Sequence, residues 1–319
     1  MEVMKSMRVG YNPKKGRIKT DSGITIDRAF LAHYQVSAAN AVAADSDGVL
    51  PLTNLSAAAQ VLTSGFLNPA VPRNLQIDGN VSGINGKVKI TGTNYAGKEI
   101  SEEITANGTT VVEGALAFKT ITKIELPVQV HTPVKQIETA TATGTVTTAG
   151  NASVTVTSAL FDEAEVVAVP VALNDDAAAI ALAIRTALAA NNNIAAHFDV
   201  SGEDAAVILT AKLPAANDAT LNMSIADGAG DGASVGVTTA ASSANTTAGV
   251  PYDQISVGWG DKLGLPYTLP HNTVLAAYFD NIVESTDPIV VTDADELEKN
   301  TVQLDSALAG KVIDIYFIV

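Results

Sequence analysis

Residues 138–249 read as a complete domain placed inside another one, and no other stretch restricts the possible folds of this chain as much. Thr145-Val146-Thr147-Thr148 and Ser153-Val154-Thr155-Val156-Thr157 are β-branched runs on either side of Gly150-Asn151, which predicts a hairpin. A third run, Val166 to Val171, ends at Asn174-Asp175-Asp176, and there the apolar period changes from two to nearly four. Ile180, Ile184 and Leu188 fall four apart in an alanine-rich segment, so they share one stripe of a helix about four turns long. Asn174 or Asp175 is placed to accept the free amides of its first turn, and the acidic pair suits its positive end. Asn191-Asn192-Asn193 stops the helix. Strands resume at Phe198 to Val200, Ala206 to Thr210 and Leu221 to Ile225. The order β-β-β-α-β-β-β is enough to enclose a small α+β core of its own.

The flanking segments, 66–137 and 250–319, read as two halves of one other domain. Leu75/Ile77, Val88/Ile90, Ile100/Ile104, Val111/Val112 and Ile121/Ile124 mark short strands, most of them alternating apolar with polar residues and so half-buried. Asn85-Gly86, Ala96-Gly97 and Asn107-Gly108 supply the positive φ angles of tight turns, so the series reads as a meander lacking its second sheet. Leu126 to Val130 is a strand leaving the domain, and Thr239 to Gly249 is a return linker rich in Ser, Thr, Ala and Gly. The later runs, Ile255 to Trp259, Val274 to Phe279, Ile289 to Thr292, Val302 to Leu304 and Val312 to Val319, can supply the missing sheet. The expected architecture is mainly β: a discontinuous β-sandwich or barrel-like domain, an inserted small α+β domain, and an extended N-terminal arm.

The length of 319 residues suits two domains and an arm. Aromatic residues make up only 5%, while Ala, Thr, Val, Gly and Asn dominate, which favours short strands and turns over a large enzyme core. There is no cysteine, which removes disulfides, thiol catalysis and zinc-thiolate sites together. Nowhere do about 18 apolar residues run together, so no membrane span is expected, and the basic start has no apolar core after it to make a signal peptide. A soluble protein is expected. The net charge of -15 opposes general nucleic-acid binding and suits an outward-facing surface or plain solubility.

Residues 1–65 form the arm and a poorly patterned lead-in. Lys5, Arg8, Lys14, Lys15, Arg17 and Lys19 stand against a single acid, Glu2, before Asp21. They read either as an arm that docks on an acidic partner or as a solvated terminus. Asp27 to Tyr34 fits a short helix or strand, and Asp45-Ser46-Asp47-Gly48 a turn. A calcium loop is rejected at that turn because no closing Glu follows at the required offset.

Catalytic patterns are weak. Gly232-Ala233-Ser234-Val235-Gly236 matches the nucleophile-elbow spacing, but loop composition on both sides replaces the strand and helix that an elbow needs. His33, His131, His197 and His271 stand singly, without the spacing of a metal pair. Glu102 and Glu103 are adjacent on a strand and point to opposite faces, so they cannot act as a carboxylate pair. The glycines from Gly228 to Gly232 lack the strand-loop-helix setting of a phosphate cradle. Trp259, the sole tryptophan, reads as an interface anchor or as core packing beneath its own loop. No enzyme, cofactor or metal is expected.

Three stretches carry a resemblance. Asn68-Pro69-Ala70-Val71-Pro72-Arg73-Asn74-Leu75, Gly92-Thr93-Asn94-Tyr95-Ala96-Gly97 and Gly260-Asp261-Lys262-Leu263-Gly264-Leu265-Pro266-Tyr267 resemble structural proteins of tailed bacteriophages, head decoration proteins in particular. The insert, from Ala142-Thr143-Gly144-Thr145 to Ala215-Ala216-Asn217-Asp218-Ala219-Thr220-Leu221, is similar to a module of phage tail and head proteins. The resemblance covers most of residues 66–319 and implies no catalytic residues. It implies a non-enzymatic virion protein, assembled in the bacterial host cytoplasm and bound to the major capsid protein on the outer head surface. It also implies a homo-oligomer, with a trimer as the expected number. A tail-tube protein and a host-glycan adhesin remain as alternatives. Exposed aromatics favour sugar binding, and the insert offers only Phe161 and Phe198.

Overall fold

The computed structural model describes residues 10–12, 17–19, 25–27, 31–227, 237–239, 243–283 and 289–319. It is mainly β and falls into two compact units. The first is interrupted after Val130 and resumes at Asp253; the second is His131–Tyr252.

The early part of the interrupted unit holds β1 (Gly10–Asn12), β2 (Arg17–Lys19), β3 (Thr25–Asp27), β4 (Leu31–Val36), β5 (Asp45–Asn54), β6 (Gln60–Leu62), β7 (Arg73–Gly79), β8 (Lys87–Thr93), β9 (Glu99–Thr105), β10 (Val112–Phe118) and β11 (Thr120–Leu126). The second unit holds β12 (Ile137–Gly144), β13 (Gly150–Thr157), β14 (Glu165–Val171), α1 (Ala177–Ala190), α2 (Asn192–His197), β15 (Phe198–Ser201), β16 (Ala206–Ala211), β17 (Asn222–Asp227), β18 (Val237–Thr239) and β19 (Ala244–Thr247). The late part returns with β20 (Gln254–Gly264), β21 (Val274–Phe279), β22 (Ile282–Val283), β23 (Val290–Val291), β24 (Thr301–Gln303) and β25 (Ile313–Ile318).

The two halves of the interrupted unit share one sheet. Its order is β10-β7-β20-β24-β23, with β5 also on β20, so the early strand β7 lies directly beside the late strand β20. Ile255 pairs with Gly79, Val257 with Ile77 and Trp259 with Leu75. A second sheet, β6-β11-β8-β9, packs across from it, and the space between is filled by Leu75, Ile77, Val88, Ile90, Phe118, Ile124 and Val257. Strand β8 shows why: its inward positions Val88 and Ile90 are fully buried while Lys87 and Lys89 alternate outward, the period-two rule of a half-solvated sheet. A third sheet, β22-β21-β25-β4, covers another core made of Val36, Leu263, Leu269, Phe279, Ile313, Ile315 and Phe317.

Gly258 marks the tightest approach. A Cβ there would lie 1.7 Å from the carbonyl oxygen of Asp45 on β5, so only glycine admits the neighbouring backbone. Gly258→Ala is expected to cost about 3 kcal/mol, measured by guanidinium unfolding followed through Trp259 fluorescence. An unchanged midpoint would remove the close approach of β5 and β20.

Several expectations need correction. The lead-in up to residue 65 is not outside the β-domain: β4 pairs with β25, β5 with β20 and β6 with β11. Asp45 to Gly48 opens the ten-residue strand β5 instead of forming a turn. The expected meander is a hairpin only at β8 and β9, around Gly97 at φ 85°. The turns at Asn85-Gly86 and Asn107-Gly108 carry the chain from one sheet to the other, which a local turn signal does not distinguish from a hairpin. Strand β20 runs on through Gly264, while β11 ends at Leu126 without the exit strand expected to Val130.

The second unit is built from two sheets, β15-β16-β12-β18 with β19 also on β12, and β14-β13-β17. The expected hairpin around Gly150 is absent, because β12 ends at Gly144 (φ 91°) and its chain crosses to the other sheet. Val146 is buried there, its N–H donating to Asp175 O at 2.9 Å and its carbonyl accepting from Asn174 N at 2.9 Å. Helix α1 buries Ile180, Ala181, Ile184 and Leu188 against this core, the stripe that the spacing predicts. Its cap is Asp176, whose carboxylate accepts from Ala179 N at 2.9 Å; Asn174, at φ 71°, belongs to the preceding turn, and Asp175 accepts from Ala172 N. Asn191 ends α1 and caps α2, accepting from the N–H groups of Asn193 and Ile194. Part of the expected linker is strand β19, which lies on β12.

Candidate functional site

The residues that carry the phage resemblance converge at the joint of the interrupted unit. Arg73 opens β7 and pairs in register with Leu263 of β20. Its side chain is 1% exposed; Nη1 donates to Val42 O at 2.7 Å, and Nη2 stands 3.7 Å from Asp261 Oδ1. Nε and Nη2 have no hydrogen-bond partner, and neither has Asp261 Oδ1. Burial pulls the guanidinium pKa below its ordinary value, against the attraction of Asp261. Next to it, Asn74 Oδ1 accepts from Lys262 N at 2.9 Å while its amide donates to Gly114 O at 3.3 Å. Gly264 N donates to Pro72 O at 2.7 Å.

Two more asparagines of the same stretches pin loops. Asn68 Oδ1 accepts from Ile121 N at 2.6 Å, and Asn94 Oδ1 accepts from Ala96 N and Lys98 N at 3.0 and 3.1 Å. Asn94 Nδ2 donates to Glu298 Oε2 at 3.0 Å, which ties an early turn to the late segment before β24. These amides satisfy backbone groups that a loop leaves open. They hold chain segments together and present no open chemistry.

Trp259, offered as an interface anchor, is half-buried in its own unit. Its Nε1 donates to Ala43 O at 3.1 Å, and the ring lies so close to Gly48 that a Cβ there would approach it to 2.6 Å. This placement favours the core-packing reading. Of the basic arm, Arg17 and Lys19 lie on β2 in a three-stranded sheet, β1-β2-β3; Lys5, Arg8, Lys14 and Lys15 lie outside the described residues. Ser234 and the glycines from Gly228 to Gly232 also lie outside them.

Glu102 and Glu103 diverge as the strand geometry requires. Glu103 pairs with Lys87 at 3.0 Å on the outside. Glu102 turns toward the irregularity of β10, where its carboxylate accepts from Ala115 N at 2.6 Å and Leu116 N at 3.3 Å. Burial raises its pKa, with these bonds opposing. Among the described residues no three His, Asp or Glu side chains converge as a metal site.

The second unit contains a cavity of about 440 Å³, walled by Leu160, Phe198, Leu213, Ala215 and Leu221 among others. Three of its polar residues are already engaged. Gln136 and Asp218 exchange two hydrogen bonds, and Lys212 donates to Ala195 O. Phe161 and Phe198 are both buried in the core of this unit, edge to face with each other. For Asp218, burial pushes the carboxyl pKa up, but bonds from Thr220, Ser158 and the Ala159 amide together hold it below the ordinary value. A depressed pKa stabilises the fold above the unfolded value and loses that effect as pH falls through the folded one. The melting-temperature advantage of the native protein over Asp218→Asn is therefore expected to shrink below about pH 4, as followed by circular dichroism.

The sequence matches no known family and no curated protein. Among solved structures, the D2–D3 domains of the Escherichia coli flagellar cap protein FliD align over 82% of this chain and 98% of theirs, at 15% identity and a TM-score of 0.24. The D1–D2–D3 form aligns over 82% of this chain and 55% of its own, at 15% identity and a TM-score of 0.25. Superposition at that level carries no argument for fold or function.

Proposed function

We propose that this protein is a non-enzymatic structural component of a tailed-bacteriophage particle, and that it acts as a head decoration protein on the outer capsid surface. The supporting observation is where the resemblance residues sit. Arg73, Asn74, Asp261 and Lys262 close the joint between the two halves of the interrupted unit, and Asn68 and Asn94 pin its loops. The stretches that suggest a virion protein are thus spent on holding a β-scaffold closed. That is the work asked of a particle component, for which area added across shell subunits stabilises the assembled state. In this reading the basic residues Lys5, Arg8, Lys14, Lys15, Arg17 and Lys19 form the capsid-binding arm, and the protein binds the major capsid protein as a homo-oligomer, a trimer.

The test is to quantify this chain against the major shell protein in purified tail-free heads by mass spectrometry. A fixed stoichiometric ratio is expected. Recovery in isolated tails alone would replace the proposal with a tail-tube role. Removal of residues 1–24 is expected to weaken head binding about tenfold, and more at low salt than at high, because exposed charges are screened.

A further inference from the structure

The open face of the β22-β21-β25-β4 sheet carries an aromatic groove that nothing in the virion reading uses. One face of this sheet is buried through Ala32, Val36, Phe279, Ile313, Ile315 and Phe317. By alternation the other face presents His33, Tyr316 and Ala276 in one cross-strand row and Gln35, Asp314 and Tyr278 in the next. The His33 ring stacks on Tyr316 at 4.5 Å and 8°, while Tyr278 stands at 89° to Tyr316 with centroids 5.9 Å apart. Ala276 directly faces Tyr316 across the strands, and its small side chain lines the groove beside it. The resulting groove measures about 380 Å³ and is lined by Leu31, Ala276, Tyr278, Asn281, Asp314 and Tyr316. That volume lies within the range of small-molecule sites, roughly 300–1,000 Å³.

We infer that this groove binds a neutral saccharide. Two tyrosines at right angles give apolar ring surface for the C–H faces of a pyranose, with hydroxyls at their ends. Asp314 supplies the directional acceptor. His33 Nε2 at 2.7 Å and Gln35 Nε2 at 2.8 Å both engage its Oδ1, which fixes the carboxylate and leaves Oδ2 for a pair of sugar hydroxyls. Asn281 brings an amide to the groove's end. It occupies the second position of the two-residue turn Asp280-Asn281, with φ values of 50° and 65°, between paired Phe279 and Ile282. The charge of Asp314 and the net charge of -15 disfavour an anionic ligand. A cation cage is incomplete, since one face of Tyr316 is covered by His33 and Asp314 Oδ1 already meets two donors. The site lies on the interrupted unit and not on the insert, and it does not depend on where the protein sits in a particle.

The experiment uses the full chain. Saturation-transfer NMR is run with methyl galactoside, methyl glucoside, N-acetylglucosamine and choline chloride, alongside an array of printed bacterial O-antigen polysaccharides. Transfer to at least one of the neutral sugars, with retention on the array, is expected. Ala276→Leu fills the groove floor without deleting a bond, and Asn281→Gly keeps the turn while removing the amide; each should weaken binding about tenfold with the Trp259 unfolding midpoint unchanged. The inference is overturned if no neutral sugar binds, if choline alone binds, or if both variants bind as the native chain does. Should Ala276→Leu fail to fold, Asn281→Gly alone decides.

Discussion

Arg73→Ala is expected to lower the stability of the interrupted unit by about 3–5 kcal/mol, read as a shift of the guanidinium midpoint of Trp259 fluorescence. Two effects act in the same direction. The guanidinium is among the largest fully buried side chains, so truncation leaves a cavity beside Phe118 and Leu263 that the close-packed sheets cannot fill. Truncation also removes the donor to Val42 O and strands the Asp261 carboxylate, which is already without a hydrogen-bond partner at Oδ1. Arg73→Met separates the two, because it keeps most of the volume while losing the same donor to Val42 O and the same cation beside Asp261. It is expected to cost less than Arg73→Ala by the cavity contribution alone, because the stranded Asp261 carboxylate and the lost donor to Val42 O are common to both variants. Equal losses in the two variants would show that pairing, and not filled volume, holds the joint. A loss under about 1 kcal/mol for Arg73→Ala would show that the joint does not depend on this residue.

Ile184→Ala is expected to cost the second unit about 2–5 kcal/mol while the Trp259 transition stays in place. Ile184 is fully buried in a core whose members all lie between Ala140 and Ile225, and none of them comes from the interrupted unit. The sole tryptophan belongs to the other unit, so fluorescence and far-ultraviolet circular dichroism report different parts of the chain. The variant should split a circular-dichroism melt into two transitions, the earlier belonging to the second unit. A Trp259 midpoint that falls by the same amount would mean that the two units unfold together and that separate cores do not make them separate folding units.

The helix of the second unit was legible because its signal is periodic and local. Ile180, Ile184 and Leu188 specify one buried stripe whatever surrounds them. The spacing puts the cap one or two residues too early, because Asn174, Asp175 and Asp176 can all accept an amide through a side-chain oxygen. Only the backbone, with Asn174 at φ 71°, decides which of them opens the helix. Strands such as β8 and β14 were equally legible from β-branched alternation. The partners of those strands were not. Asn107-Gly108 is as suitable for a hairpin as for a crossover between sheets, and Gly150-Asn151, read as a turn, opens strand β13; the choice rests on pairing with strands distant in sequence.

The saccharide groove was invisible for the same reason. His33 and Asp314 are 281 residues apart, and Tyr278 and Tyr316 belong to different strands of modest pattern. The low aromatic count of the insert weighs against a sugar site there, and Phe161 and Phe198 are core residues. Likewise the lead-in from residue 31 is poorly patterned in sequence: β4 alternates in burial, but an exposed Leu31 and a small inward Ala32 mask it, and β5 pairs irregularly with β20.

By itself the sequence determined the period of α1 and of strands such as β8 and β14, their apolar faces, and the interruption by a segment able to close its own core. These are fixed by neighbours within about one helical turn or two strand steps, where propensity and alternation act directly. Tertiary structure alone decided that β7 lies against β20, that Arg73 is buried beside Asp261, and that residues of β4, β21, β25 and the turn at Asn281 line one groove. Pairing between distant strands is selected by the packing of whole faces, and no local run of residues encodes the identity of its partner.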